Sequence, residues 1–161
     1  MLLLEQHRLS QCVQVINNLR AVERLTPLTL NTRLNAAAQE QADLIIRTGA
    51  FRHKHPTEHL PNVDDRVAAT GYRAHRVAEN ISKGFRTPNT IVAAWEKSTP
   101  HRRAMLYHGA RDIGLGMAKA PNGVLYVVAV FGEPHADLSM KNLQKRAAKL
   151  KQELLRMLKQ Y

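Results

Sequence analysis

Hydrophobic and polar positions change their period part-way along the chain. From about Ser10 to Arg24, Val13, Ile16, Leu19 or Arg20, and Val22 recur at helical spacing and predict an amphipathic helix. Pro27 breaks it, because a proline pushes the residue before it towards extended geometry. Leu28 to Asn31 reads as a short linker, with Asn31 capping the next helix. That helix runs to about Thr48, burying Leu34, Ala37, Ala38, Ala42, Leu44 and Ile45, and Gly49 stops it. Phe51 to Pro61 reads as a polar loop carrying His53, His55 and His59. His55 and His59 are expected in solvent, while Phe51 is expected to anchor the loop end, and so His53, in the core. A short helix over Val63 to Thr70, with Asp64, Asp65 and Arg66 as its polar face, ends at Gly71. Residues 76–81 read as extended. Thr87 is an N-cap and Pro88 a first helical residue for a segment with Ile91, Val92, Ala94 and Trp95 inward. Pro100 is expected to end or kink it.

Beyond that point the pattern becomes strand-like. Residues 113–118 and 124–131 form two apolar runs around Pro121-Asn122-Gly123, and Asn-Gly is a strong hairpin signal. Val127 to Val130 lack polar relief, which predicts a strand covered on both faces. Gly114 and Gly116 predict a neighbour approaching the backbone closely. Helices, then a central antiparallel sheet, with helices on both faces, make an α+β three-layer α-β-α sandwich. A basic amphipathic helix follows over 139–161, where Leu143, Ala147, Leu150, Leu154, Met157 or Leu158, and Tyr161 step by about 3.5 residues. It could dock on the domain, pair with another copy, or contact an anionic surface.

At 161 residues and 44% apolar composition the chain is one globular domain with a core of its own. The single cysteine, Cys12, excludes an internal disulfide framework and any Cys-rich zinc site, and its place on the first helix suits packing. The net charge is +11, and the last 23 residues hold five lysines and two arginines against one glutamate, a net of +6. Without aromatic platforms or a recognition motif, this charge does not read as nucleic-acid binding. Met1 to Leu4 is apolar but meets Glu5, too short a run for a signal-peptide core or a membrane span. On that ground alone the chain reads as cytoplasmic, or as secreted with its leader removed.

The candidate chemistry centres on Val77-Ala78-Glu79-Asn80-Ile81. A carboxylate in an apolar run is costly unless something cationic, donating or metallic meets it. His53 and His101 come from separate segments, and two imidazoles with Glu79 are what a metal or proton-transfer site needs. Zinc is the expected metal, with an open fourth position for water. That arrangement allows a metal-dependent, protease-like hydrolase with Glu79 as base. A satisfied polar network without metal is the alternative. Ser98 and His101 are three residues apart, but Pro100 lies between them and no nucleophile elbow surrounds Ser98.

Taken in order, several segments resemble the bacterial branch of the CAP superfamily (cysteine-rich secretory proteins, antigen 5, pathogenesis-related 1), the SCP domain. They are Asn17 and Arg20, Pro27-Leu28, the alanine-rich stretch Leu34 to Ala42, Phe51-Arg52-His53 and Gly71-Tyr72. Ala78-Glu79-Asn80-Ile81, Trp95 with Ser98, His101-Arg102, Gly114-Leu115-Gly116 and Phe131-Gly132 complete the series, so the resemblance spans residues 10–132. It implies the same α-β-α sandwich and a cleft of His53, Glu79, Ser98 and His101, with His53, His101 and Glu79 as ligands for a divalent metal. A second cleft glutamate of eukaryotic members is matched here by Ser98, and their disulfide cysteines are missing. The resemblance further implies an extracytoplasmic, non-enzymatic binding domain whose ligand is a lipid, a glycan or a protein. It leaves the oligomeric state open.

Overall fold

The computed structural model describes residues 2–135 and 140–158. Its elements run α1 (Leu2–Val22), β1 (Thr29–Leu30), α2 (Thr32–Thr48), α3 (Val63–Ala69), β2 (Ala74–Lys83), α4 (Pro88–Glu96), α5 (Thr99–Met105), β3 (Asp112–Lys119), β4 (Leu125–Pro134) and α6 (Met140–Leu158). The sheet has the order β1-β3-β4-β2. β4 pairs antiparallel with β2 and β3, and the two-residue β1 joins parallel to the start of β3. This is the α+β sandwich expected, with an antiparallel centre.

Strand alternation assigns the layers. Ile113, Leu115, Val127, Ala129 and Phe131 face α1, α4 and α5, where they meet Ile16, Ile91, Trp95 and Met105. Val128 and Val130 face the other way, onto Leu34, Ala38, Ile45 and Val67 of α2 and α3. Val127 to Phe131 are all buried, so β4 is the strand covered on both faces.

α2 lies against β3 with almost no gap. A β-carbon at Gly114 would overlap the backbone of Leu34 and Asn35, and one at Gly116 the backbone of Ala38 and Gln39. That approach lets α2 finish the ladder that short β1 leaves open. Asn35 Oδ1 accepts from Leu115 N at 2.9 Å, and Gln39 exchanges two hydrogen bonds with the backbone of Met117 at 3.0 and 3.1 Å. On the opposite layer Arg20 is buried. Its guanidinium donates to the carbonyls of Thr26, Met105, Tyr107 and Ala110, tying α1 to the turn after α5. Asn17 brackets Leu28 by donating to its carbonyl and accepting from its amide.

Several boundaries differ from the expectation. α1 begins at Leu2, eight residues before Ser10. It ends through Arg24 at φ 57, with Leu25 N bonded to Arg20 O and Arg24 N to Ala21 O, a left-handed cap that acts before Pro27 is reached. The linker after Pro27 contains β1. Pro100 does not end a helix; it sits in the first turn of α5, where a missing N–H is harmless. Phe51 is 44% exposed and rests on Tyr126 rather than in the core. The hairpin turn runs from Ala120 to Gly123, whose amide bonds Ala120 O at 2.8 Å with Gly123 at φ 84. Residues 139 and 159–161 of the expected C-terminal segment lie outside the described residues.

Gly114→Ala is expected to lose about 3 kcal/mol or more of unfolding free energy, because its methyl meets backbone and not a side chain that can swing away. Urea denaturation measures this; a loss below about 0.5 kcal/mol would contradict the packing.

Candidate functional site

β2 is the outermost strand on its side of the sheet, and its side chains alternate between the layers. Glu79 therefore shares a face with Val77 and Ile81, which pack towards α2 and α3. Asn80 points to the other layer, where its amide nitrogen donates to His101 O at 3.0 Å. Trp95 Nε1 donates to Ile81 O at 3.1 Å, so α4 also grips this strand. The acid-amide pair thus holds one residue from each side of the sandwich.

The Glu79 side chain is 2% exposed and both of its oxygens are engaged. Oε2 accepts from Arg66 at 2.8 Å, and Oε1 meets His53 Nδ1 at 2.9 Å. Arg66 was expected on the polar face of α3. It is instead buried, and it also reaches the carbonyls of Leu60 and His53 at 3.4 and 3.5 Å. Seven residues make α3 too short for a wide apolar stripe, and the buried carboxylate supplies the partner that draws the guanidinium inward. The role of Arg66 in the site escaped the sequence reading. Its signal was the demand of a buried Glu79 for a cationic partner.

The histidine loop is pinned from both ends. Gln41 of α2 donates to Arg52 O at 2.8 Å, and His55 N donates to Pro61 O at 2.8 Å. His55, expected in solvent, is 1% exposed and lies 3.3 Å from Thr48 Oγ1 through Nδ1. Burial pushes its imidazole below the ordinary value. His59 is exposed, as expected. Phe51 does not anchor this end of the loop in the core as expected, and the His53 side chain is 49% exposed. Its order comes from Glu79. An ionised carboxylate accepts, so Nδ1 is the donor in this contact.

His101 stands in the first turn of α5, with its ring centroid 6.4 Å from that of His53 and the planes tilted by 52°. Burial, and secondarily the charge His53 can carry, push His101 below 6.5. Ser98 is the N-cap of α5 without a side-chain cap bond, and no hydrogen bond joins it to His101 among the described residues. A hollow of about 350 Å³ opens beside His53, on the α3 side, lined by His53, Lys54, Asn62, Val63, Asp64 and Glu79.

Glu79 does not fit the metal-ligand role expected of it, because both of its oxygens are engaged. Glu79 would have to leave a buried guanidinium uncompensated before its lone pairs could turn to a cation. Among the described residues no group of three or more His, Cys, Asp or Glu side chains is placed to hold a metal ion.

A family profile for the cysteine-rich secretory protein family matches residues 13–131. The chain belongs to the CAP family. A Bacillus subtilis (strain 168) protein, YkwD, itself uncharacterised, is 30% identical over 108 residues, which are 67% of this chain and 41% of that protein. The chain thus spans about two fifths of its curated relative. Two solved structures share the CAP fold. An outer surface protein of Borrelia burgdorferi superposes with a TM-score of 0.72 at 20% identity, covering 80% of this chain and 93% of that one. An extracellular SCP-domain protein of Bacillus anthracis does so with a TM-score of 0.68 at 19% identity, over 77% and 39% of the two chains. In this CAP domain Glu79 joins His53 and Arg66, and the His101 ring lies beside that of His53.

Glu79→Ala is expected to cost about 3–5 kcal/mol in urea denaturation, since it strands the Arg66 charge. The double replacement Arg66→Met/Glu79→Leu is expected to cost much less, and a double variant weaker than the single would contradict the buried pair. By NMR titration His101 is expected to show a midpoint below 6.5. The folded state favours its neutral form, so the stability it contributes is present above 6.5 and lost as pH falls through the folded midpoint. A midpoint at or above 6.5 would contradict its burial.

Proposed function

We propose that this CAP domain is a non-enzymatic, extracytoplasmic binding module that takes a polar ligand, a glycan or a peptide segment, at the His53–His101 cleft. One observation carries the reading: Glu79 is spent on Arg66 and His53, while the His53 ring it holds through Nδ1 keeps a half-exposed side chain. A general base needs a lone pair free to take a proton, and both Glu79 oxygens already face N–H donors. This weighs against the metal-dependent, protease-like hydrolase that uses Glu79 as base. Of the six residues lining the hollow, only Val63 is apolar, which favours a hydroxyl- or amide-bearing ligand over a lipid. The extracytoplasmic location rests on the CAP family, whose members are typically extracellular, and on relatives described as extracellular and outer-surface proteins. Among the described residues no helix is long and apolar enough to cross a membrane.

The test is an NMR titration that follows the ring protons of His53 and His101 with three probes: an N-acetylglucosamine tetrasaccharide, a polar unstructured peptide, and oleate. The reading expects the saccharide or the peptide to shift both rings, with affinity falling about tenfold in His53→Ala. Binding of oleate alone, or affinity unchanged in His53→Ala, would overturn it.

A further inference from the structure

Among the described residues, α6 from Gln144 onward lends no side chain to the core of the sandwich. Every side chain from Gln144 to Leu158 is exposed, including Leu150 at 65%, Leu154 at 53%, Met157 at 56% and Leu158 at 64%. At 100° per residue, Met157, Leu150, Leu154, Ala147 and Leu158 fall within an arc of about 100°. Lys145, Lys149 and Arg156 centre on the opposite side. Arg146 and Lys151 stand at the two margins of the apolar stripe, where long stems can lie along apolar material with their charges lifted clear. Such a stripe left bare in water needs a covering partner.

Charge selects the partner. Between Met140 and Leu158 the cations Lys141, Lys145, Arg146, Lys149, Lys151 and Arg156 oppose Glu153 alone, a net of +5. A second α6 would bring margin Arg146 and Lys151 against like charges, with a single acid on each helix to answer them, which disfavours a self-paired coil. A helix with low mean hydropathy, a narrow apolar face and a strongly cationic opposite face suits the plane of a negatively charged bilayer surface. We propose that α6 docks this chain on anionic lipid membranes, Leu150, Leu154 and Leu158 entering the headgroup boundary while Lys145, Lys149 and Arg156 remain in the charged layer. The CAP cleft takes no part in this contact, so the two assignments stand or fall separately.

Co-flotation of the full chain tests it, with vesicles of phosphatidylcholine alone or containing about one third phosphatidylglycerol. The near-ultraviolet signal of buried Trp95 reports that each variant keeps its fold. The expected result is retention at least ~10-fold greater on the anionic vesicles, weakened at about 0.5 M salt. Leu150→Gln/Leu154→Gln and Lys145→Gln/Lys149→Gln should each reduce it severalfold, and neither pair touches the sandwich. Equal retention on neutral vesicles would overturn the proposal. So would retention that ignores the leucine pair, which would mark simple polycation adhesion, or a concentration-dependent dimer in place of vesicle binding.

Discussion

The buried pairing of Arg66 with Glu79 is the constraint on which this site rests. Neither charge has water to fall back on, so each requires the other. Meeting that requirement fixes α3 against β2, draws the His53–Leu60 loop over the guanidinium, and sets the tautomer of His53. The carboxylate has become part of the scaffold. What remains available to a ligand is the imidazole edge that Glu79 orients.

The sandwich makes that arrangement rigid from both sides. α2 closes on glycines of β3 and completes its ladder with Asn35 and Gln39. It also reaches the histidine loop through Gln41. On the other layer Arg20 gathers the carbonyls after α5, and Asn80 holds the backbone of His101. The two histidines therefore approach from opposite layers across one edge strand. His101 is carried by α5, and His53 by a loop that Gln41 and Glu79 hold in place.

Much of this was legible in the chain itself. Gly114 and Gly116 announced the close approach of a neighbour, the unrelieved Val127–Val130 run announced a central strand, and the ordered motifs placed His53, Glu79 and His101 together. What escaped were residues whose position depends on a partner far along the chain. Arg66 reads as solvated until Glu79 is buried against it. His55 reads as a loop histidine until Thr48 and the Pro61 carbonyl enclose it. Phe51 looked like an anchor because aromatics usually bury, yet it needs only Tyr126 beside it. Pro100 looked like a stop because the same residue that breaks a helix interior also opens a helix.

The proposal that Glu79 is committed to Arg66 and that the cleft binds its ligand without metal is tested most directly by calorimetric titration of zinc into the wild-type chain and into His53→Ala/His101→Ala. The account predicts no saturable heat in the wild type beyond that of the double variant. Saturable micromolar binding that disappears in the double variant would contradict it, because the two imidazoles would then hold the metal.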